Sequence, residues 1–551
     1  VGCCAIKIPV KRKSFIEFGL FSLAGTALAG VLNSCRHHLA EKIKFIRSGA
    51  NASIGHLLRE DWPANISVRK IIETDILIIG GGISGLSAAY FLQKNNYTNY
   101  ILAELDEQPG GNSKSGENEF SKYPYGAHYL PIPNLSNKLL IGFLAEKGLI
   151  TSFDERGIPI YDEFAVCSEP DERLLINNYW QEGIVPNRQQ TKEDETQIRT
   201  FFDLVDKLKN EKGEDGKFVF DIPLASASTI NEYIALDNVS FEEYLHREGF
   251  TSKQLLWYLR YCCRDDYGQS FEKVSAFAGL HYFAARRGRG SNCDDNSILT
   301  WPEGNGKLVQ LLCDSIKHKI QSAELIRKVE LKDEHCEAMM YNWKTENWRK
   351  VKAAKVLIAT PIHVRRKIFD ESFPTNLGLP ITESQPWLVA SITAKTFTDR
   401  NGFPLSWDNV MMEANSLGFV FAQHQALKAV RENYVFTLYK PLDEESAKNM
   451  RLKYYDKTDE ELQQEIISEL SVAFPQIEKE IIEIDCHIHG HGMISPGIGY
   501  LKNENKAKLT EAINGKIFFA HTDYSGISIF EEAFWQGHRA AMEVLKHIEH
   551  V

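Results

Sequence analysis

The chain has 551 residues, 63 Lys+Arg against 74 Asp+Glu and a formal net charge of -11. That length points to two or more domains of roughly 100–200 residues, and the acidic balance argues against a general nucleic-acid binder, whose footprint is basic. Hydrophobic residues at 43% and charged residues at 25% exclude bulk disorder, and ten Cys without a CxxC pair argue against a disulfide scaffold or a structural zinc site.

The amino terminus reads as a targeting segment over residues 1–35. Lys11-Arg12-Lys13 is a basic cluster, and the apolar run from Phe18 to Leu32 is shorter than the roughly 20 residues a membrane helix needs. Arg12-Lys13-Ser14-Phe15-Ile16 resembles the twin-arginine export motif with Lys in place of the second Arg, and Leu32-Asn33-Ser34-Cys35 resembles a bacterial lipobox. The expectation is an exported, periplasmic or lipid-anchored bacterial protein, with membrane attachment only through this segment or a lipid on Cys35. A cytoplasmic location is the alternative. Residues 36–71 show no clear period and read as a lead-in on the surface.

Asp75 to Ile79 is a continuous apolar, β-branched run, as expected of a strand buried on both faces of a parallel sheet. It runs into Gly80-Gly81-Gly82-Ile83-Ser84-Gly85, which contains GxGxxG, and then into a helical stretch from Leu86. Gly80 permits the tight turn, Gly82 lets the backbone approach a pyrophosphate, and Gly85 lets the helix lie close to the strand. The helix N-terminus, with Ile83 and Ser84, presents free N–H groups to the phosphates. A second strand, Tyr100 to Ala103, ends at Glu104, whose carboxylate can accept hydrogen bonds from ribose hydroxyls.

Asp106 to Gly110-Gly111-Asn112-Ser113 resembles the double-glycine stretch that follows the ribose-binding acid in the flavin-containing amine oxidase family. That family includes monoamine oxidases, protoporphyrinogen oxidase and phytoene desaturases. Asn112 stands where the family has Arg, and Lys114 is near enough to replace that contact. Further matches occur in order: Tyr125 to Tyr129, Thr300 to Leu308, Ile326 to Glu330, Lys355 to Pro361, Ile517 to Asp523, Ser528 to Ala533 and Gly537 to Ala541. The resemblance implies non-covalent FAD, since Met493 falls near the position of the flavin-linking Cys of monoamine oxidases. It places Val329 at adenine, Asp523 at the phosphates and ribityl chain, and the helix from Phe530 with its N-terminus toward the flavin.

The expected fold class is α/β, or α+β overall: a discontinuous Rossmann-like FAD-binding domain and a second, mixed-sheet-plus-helix substrate domain. The first comprises 72–150, 295–375 and 490–551. The second comprises 151–294, mostly helical, and 376–489, mostly sheet, with a capped helix starting after Thr458.

The resemblance implies an FAD-dependent oxidoreductase that passes a hydride equivalent from an amine or related small organic substrate to flavin N5, with O2 or a quinone as electron acceptor. A C–H desaturase is the alternative within the family, and a flavin-fold binding protein without turnover is the alternative outside it. His128, Tyr129 and His489 are the candidate catalytic residues, with an expected titration near 6.5, and Lys395 is the nearest match to the family's flavin-facing lysine. His487, His489 and His491 share one strand face, but without a further ligand at matching spacing no metal site is expected. Trp407-Asp408-Asn409 reads as a capped turn, and Tyr261 to Tyr267, with Asp265 and Asp266, as an ion-paired internal network.

Overall fold

The computed structural model describes residues 43–49, 51–62, 66–369, 382–426 and 431–549. The proposed export segment, with Arg12, Lys13 and Cys35, lies outside the described residues. Among those described, no helix is long and apolar enough to cross a membrane.

Ile76, Leu77 and Ile78 are fully buried, as a strand covered on both faces must be. They end the strand Val68–Ile79 of a seven-stranded sheet. This strand pairs in parallel with Tyr100–Ala103 on one side and with Asn347–Ile358 on the other, and Ile320–Gln321 and Ile517–Phe519 extend the parallel part. Cys336–Asn342 and Glu324–Leu331 continue the sheet in antiparallel pairing. Three distant stretches of chain therefore build one Rossmann-like sheet, as the spread of the sequence matches requires.

The helix Ile83–Lys94 lies between this sheet and the C-terminal helix Phe530–Glu549, at distances only glycine permits. A Cβ on Gly85 would sit 1.9 Å from the Gly80 carbonyl oxygen, and one on Gly537 would sit 2.3 Å from the Ser84 carbonyl oxygen.

The second sheet has eight strands, in the order Lys44–Gly49, Ile481–Ile494, Ser384–Ala394, Tyr434–Pro441, Gly418–Phe421, Asp408–Met411, Glu172–Ile176, Tyr179–Glu182. Leu388, Ala390 and Ile392 of its central strand pack with Leu462, Ile466 and Leu470 of the helix Asp459–Ala473. Thr458 and Glu461 close that helix's N-terminus as a capping box.

Three boundaries differ from the sequence reading. The lead-in is not loose: Lys44–Gly49 is an edge strand, parallel to Ile481–Ile494 with Lys44 opposite Glu483. Residue 489 is not a domain edge, because the strand Ile481–Ile494 runs through it. The mostly helical stretch 151–294 also contributes Glu172–Ile176 and Tyr179–Glu182 to this sheet. Asp408 is not a turn cap. It opens a strand, and its carboxylate accepts the Tyr439 hydroxyl at 2.6 Å.

The far end of this sheet is held by one buried cation. Arg173 is fully buried, donates from Nε to the Asn409 side-chain oxygen at 2.6 Å and from Nη1 to Asp399 at 2.7 Å, and stacks 3.8 Å from the Trp180 ring. Arg173→Met should cost about 3 kcal/mol, because it strands a carboxylate and an amide in a low-dielectric setting. Urea unfolding checks this, and a loss below about 1 kcal/mol would contradict it.

Candidate active site

A cavity of about 640 Å³ lies between the two sheets. The parallel strands point their C-terminal ends at it, the edge where α/β sheets bind ligands. Gly80, Gly82, Glu104, Ala359, Thr360, Thr522 and Asp523, all just past those strand ends, line its wall.

Gly80 takes φ +102°, and a Cβ there would meet the Ala359 carbonyl oxygen at 2.7 Å, so the turn excludes any other residue. A Cβ on Gly82, by contrast, would meet nothing within 4 Å. That open space faces the first turn of the helix, where Ile83 and Ser84 also line the cavity. Gly110, Gly111, Asn112 and Ser113 close over it, and the Gly110 N–H donates to the Gly81 carbonyl at 2.7 Å. Glu104 accepts the Gly81 N–H at 2.6 Å and the Asp106 N–H at 2.8 Å. Burial and the Asp106 carboxylate push its pKa up to about 7. An open glycine cradle at a helix N-terminus, with an acceptor carboxylate at the next strand end, fits a dinucleotide.

Several expected residues stand elsewhere. Gly85 has the packing role the motif gives it, helix on strand, and does not itself reach the cavity. Val329 is buried in the sheet's core, and Glu324, Leu325 and Ile326, at the start of the same strand, line the wall in its place. Lys395 is exposed just past the end of Ser384–Ala394 and does not line the cavity. Lys114 does not replace a phosphate cation, since its amine is paired with Asp106. Asp523 and Phe530 are at the wall as expected, and Asp523 accepts the Ile362 N–H at 2.8 Å.

At the other end the wall turns aromatic and acidic. His128 is surrounded by Tyr129, Trp407 and Tyr439, with ring centroids at 5.2, 5.7 and 5.0 Å. Its Nδ1–H donates to the Gly126 carbonyl at 3.0 Å, which leaves Nε2 as an acceptor. The phenol of Tyr129 is kept protonated by burial, well above its ordinary pKa. His489 donates from Nε2 to the Tyr125 carbonyl at 2.5 Å and so braces the segment that carries His128. Its neighbours do not converge on a common point: His487 stacks on Tyr125 and His491 on His363. The expected titration near 6.5 is displaced, because burial draws both His128 and His489 down to about 4.

Sequence reasoning took Asp265 and Asp266 for an internal network and not for part of the cavity wall. Asp265, Asp266, Arg286 and Glu531 all line this end. Asp266 pairs with Arg286 at 3.1 Å, as the network reading expects. Asp265 does not join it: among the described residues its carboxyl has no hydrogen bond and no ion pair. Burial, with the Asp408 and Asp266 carboxylates behind it, holds its pKa well above the usual range. A Cys-Cys-Arg-Asp-Asp run on one helix was the available signal, but which acid meets Arg286 depends on a residue 20 positions away.

The sequence matches the family model described as an NAD(P)-binding Rossmann-like domain over residues 78–145. No curated protein matches it. Among solved structures it is similar to putrescine oxidase bound to putrescine, at 14% identity and TM-score 0.62, over 86% of this chain and 100% of that one. Cyclohexylamine oxidase from Brevibacterium oxydans gives 16% identity and TM-score 0.60 over 86% and 99%. A fatty acid isomerase from P. acnes gives 15% and 0.56 over 85% and 98%.

Two sets of variants test this geometry. Gly82→Ala should leave the stability of the ligand-free protein within about 0.5 kcal/mol, whereas Gly85→Ala should lose about 1–3 kcal/mol to overpacking; equal melting temperatures would contradict the contact. His489 has a folded pKa near 4, below the unfolded 6.5, so its contribution is fully present above pH 6.5 and is lost as pH falls through 4. His489→Gln should therefore lose less stability than wild type between pH 6.5 and 4, and parallel curves would contradict this. The chain has the flavin amine oxidase fold, with a Rossmann-like dinucleotide-binding domain set against a second, mixed sheet.

Proposed function

We propose that the chain is an FAD-dependent oxidoreductase that oxidises an amine. The observation that carries this reading is Asp265: a carboxyl without a hydrogen bond or ion pair on a cavity wall that also carries Tyr129, Trp387 and Tyr439. Aromatic faces and a carboxylate together favour a cation over an apolar or anionic guest. Two similar structures are named for amines, which agrees with the reading but at their identity speaks for the fold alone.

Gly80, Gly82, Ile83, Ser84, Glu104, Gly110, Gly111, Ser113 and Asp523 would hold FAD along the glycine cradle. The described cysteines lie off the cavity wall and Met493 is on it, which supports non-covalent binding. When bound, FAD supplies the two-electron acceptor. The protein's own work is to bind the amine, exclude water and manage one proton.

A substrate arrives as an ammonium ion and must be neutral to give up a hydride. Asp265 can take that proton: the ammonium N–H bond breaks, the Asp265 O–H bond forms, and the raised pKa of the buried acid makes the transfer less uphill. Asp266 pairs with Arg286 and fixes the helix end beside it. His128, neutral with Nε2 as acceptor, can receive a hydrogen bond from the amine. Its role is positional, since its pKa near 4 makes it a poor base.

Asp265→Asn should keep FAD content at the wild-type level and slow flavin reduction by an amine about ten- to a hundredfold. The wild-type rate should rise with pH through the raised Asp265 pKa, and the variant should lack that rise. Stopped-flow reduction across pH measures both. Wild-type rates and the same profile in the variant would remove Asp265 from the chemistry. Reduction by polycyclic or polyene substrates but not by amines would favour the desaturase reading.

A further inference from the structure

The double-glycine stretch lacks its cation. Asn112 stands where the resembled motif has arginine, and its amide donates to the Gly492 carbonyl. Lys114, the nearest other cation, is largely buried and committed to Asp106. A diphosphate at the Gly82 cradle would therefore meet backbone N–H groups but no positive charge from residues 110–114.

A cation reaches the same wall from another part of the chain. Arg59 lines the cavity from the short turn Leu57–Arg59, which follows the helix Ala52–His56. This is the segment between the edge strand Lys44–Gly49 and the first Rossmann strand, and it is pinned at both ends. Asn51 donates its N–H to Asp106 at 3.1 Å, and Arg327 donates to the Glu60 carbonyl at 3.3 Å. Trp62 donates its indole N–H to the Leu57 carbonyl at 2.9 Å and packs edge-on against Trp348 at 4.9 Å. Asp106 thus anchors the segment with one oxygen and neutralises Lys114 with the other.

Arg59 itself makes no hydrogen bond and no ion pair among the described residues. Its charge is felt at His363 and His491, as is that of Arg451, whose guanidinium is spent on the Ser384 and Gly490 carbonyls. His363 follows the Thr360-Pro361 turn, beside Gly80, and His491 precedes Gly492, which Asn112 holds. Both imidazoles line the cavity, stack on each other at 4.0 Å and have no hydrogen-bond partner. The nearby carboxylate, Asp523, is occupied by the Ile362 N–H and by His521 at 3.1 Å. The exposed Arg59 guanidinium and the two imidazoles therefore line one wall of the cavity with donors that no protein group takes up, a set suited to an anion.

We infer that Arg59 supplies the charge on the cofactor diphosphate that position 112 lacks, with His363 and His491 as additional donors. The inference rests on the FAD reading of the cavity. It makes the segment before the Rossmann domain part of the cofactor site.

The test is binding to apo-protein, read by flavin fluorescence for FAD and riboflavin and by calorimetry for ADP. Arg59→Gln should weaken FAD and ADP about tenfold each, leave riboflavin unchanged and leave the melting temperature of the apo-protein unchanged. Arg59→Lys should recover most of the loss. Unchanged FAD affinity in Arg59→Gln, or an equal loss for riboflavin, would overturn the inference and leave the FAD reading standing. Wild type that binds neither FAD nor ADP would overturn both.

Discussion

Contact between the Gly85 position and the Gly80 carbonyl sets the rest of the molecule. A helix can approach a strand end this closely only where the Cβ is missing, and Gly537 repeats the device on the helix's other side. The reward is the space over Gly82, which stays open because the helix start is pulled down beside the strand. Much of the wall at the glycine end is placed by that sheet edge: Glu104 by the next parallel strand, Thr360 by the neighbouring one, and Asp523 by the short strand beyond. Ligand binding at this edge follows from strand direction, since parallel strands deliver all their loops to one side.

The cavity is divided electrostatically. At the glycine end, backbone N–H groups, Arg59 and two imidazoles line the wall; at the other, three acids accompany a single Arg286. Buried charges are tolerated when paired, and most of these are. Asp266 has Arg286, Lys114 has Asp106 and Asp523 has His521. Asp265, half-buried, and Arg59, exposed, have no ion pair among the described residues and stand at opposite ends. In the reading proposed above, the cofactor diphosphate and the substrate amine would meet Arg59 and Asp265 respectively.

Much of this was legible in the chain itself. The run Ile76 to Ile79, the glycines after it and Glu104 carry the Rossmann half without ambiguity, because burial on both faces leaves a continuous apolar signature. The helix after Thr458 was equally plain from its capping box and four-residue stripe. What escaped has physical reasons. Lys44–Gly49 pairs along only one edge and is half-exposed, so Lys-Phe-Ile-Arg-Ser-Gly shows no alternation to read. Val329 was misplaced because the cavity meets only the start of its strand, at Glu324 to Ile326. Lys395, the nearest match to the flavin-facing lysine, takes the other place open to a lysine at a strand end, the surface. Asp265 was hidden among polar neighbours, since local sequence cannot tell a paired acid from an unpaired one.

The most direct test of the central claim is anaerobic titration of the purified holoprotein, following the flavin band with amines, amino acids and apolar polycyclic compounds in turn. The account predicts a bound flavin released intact by acid precipitation and bleached by a small amine, with amino acids and polycyclic compounds slower. A colourless protein with no affinity for added FAD would contradict it, as would a flavin that polycyclic compounds bleach and amines leave oxidised.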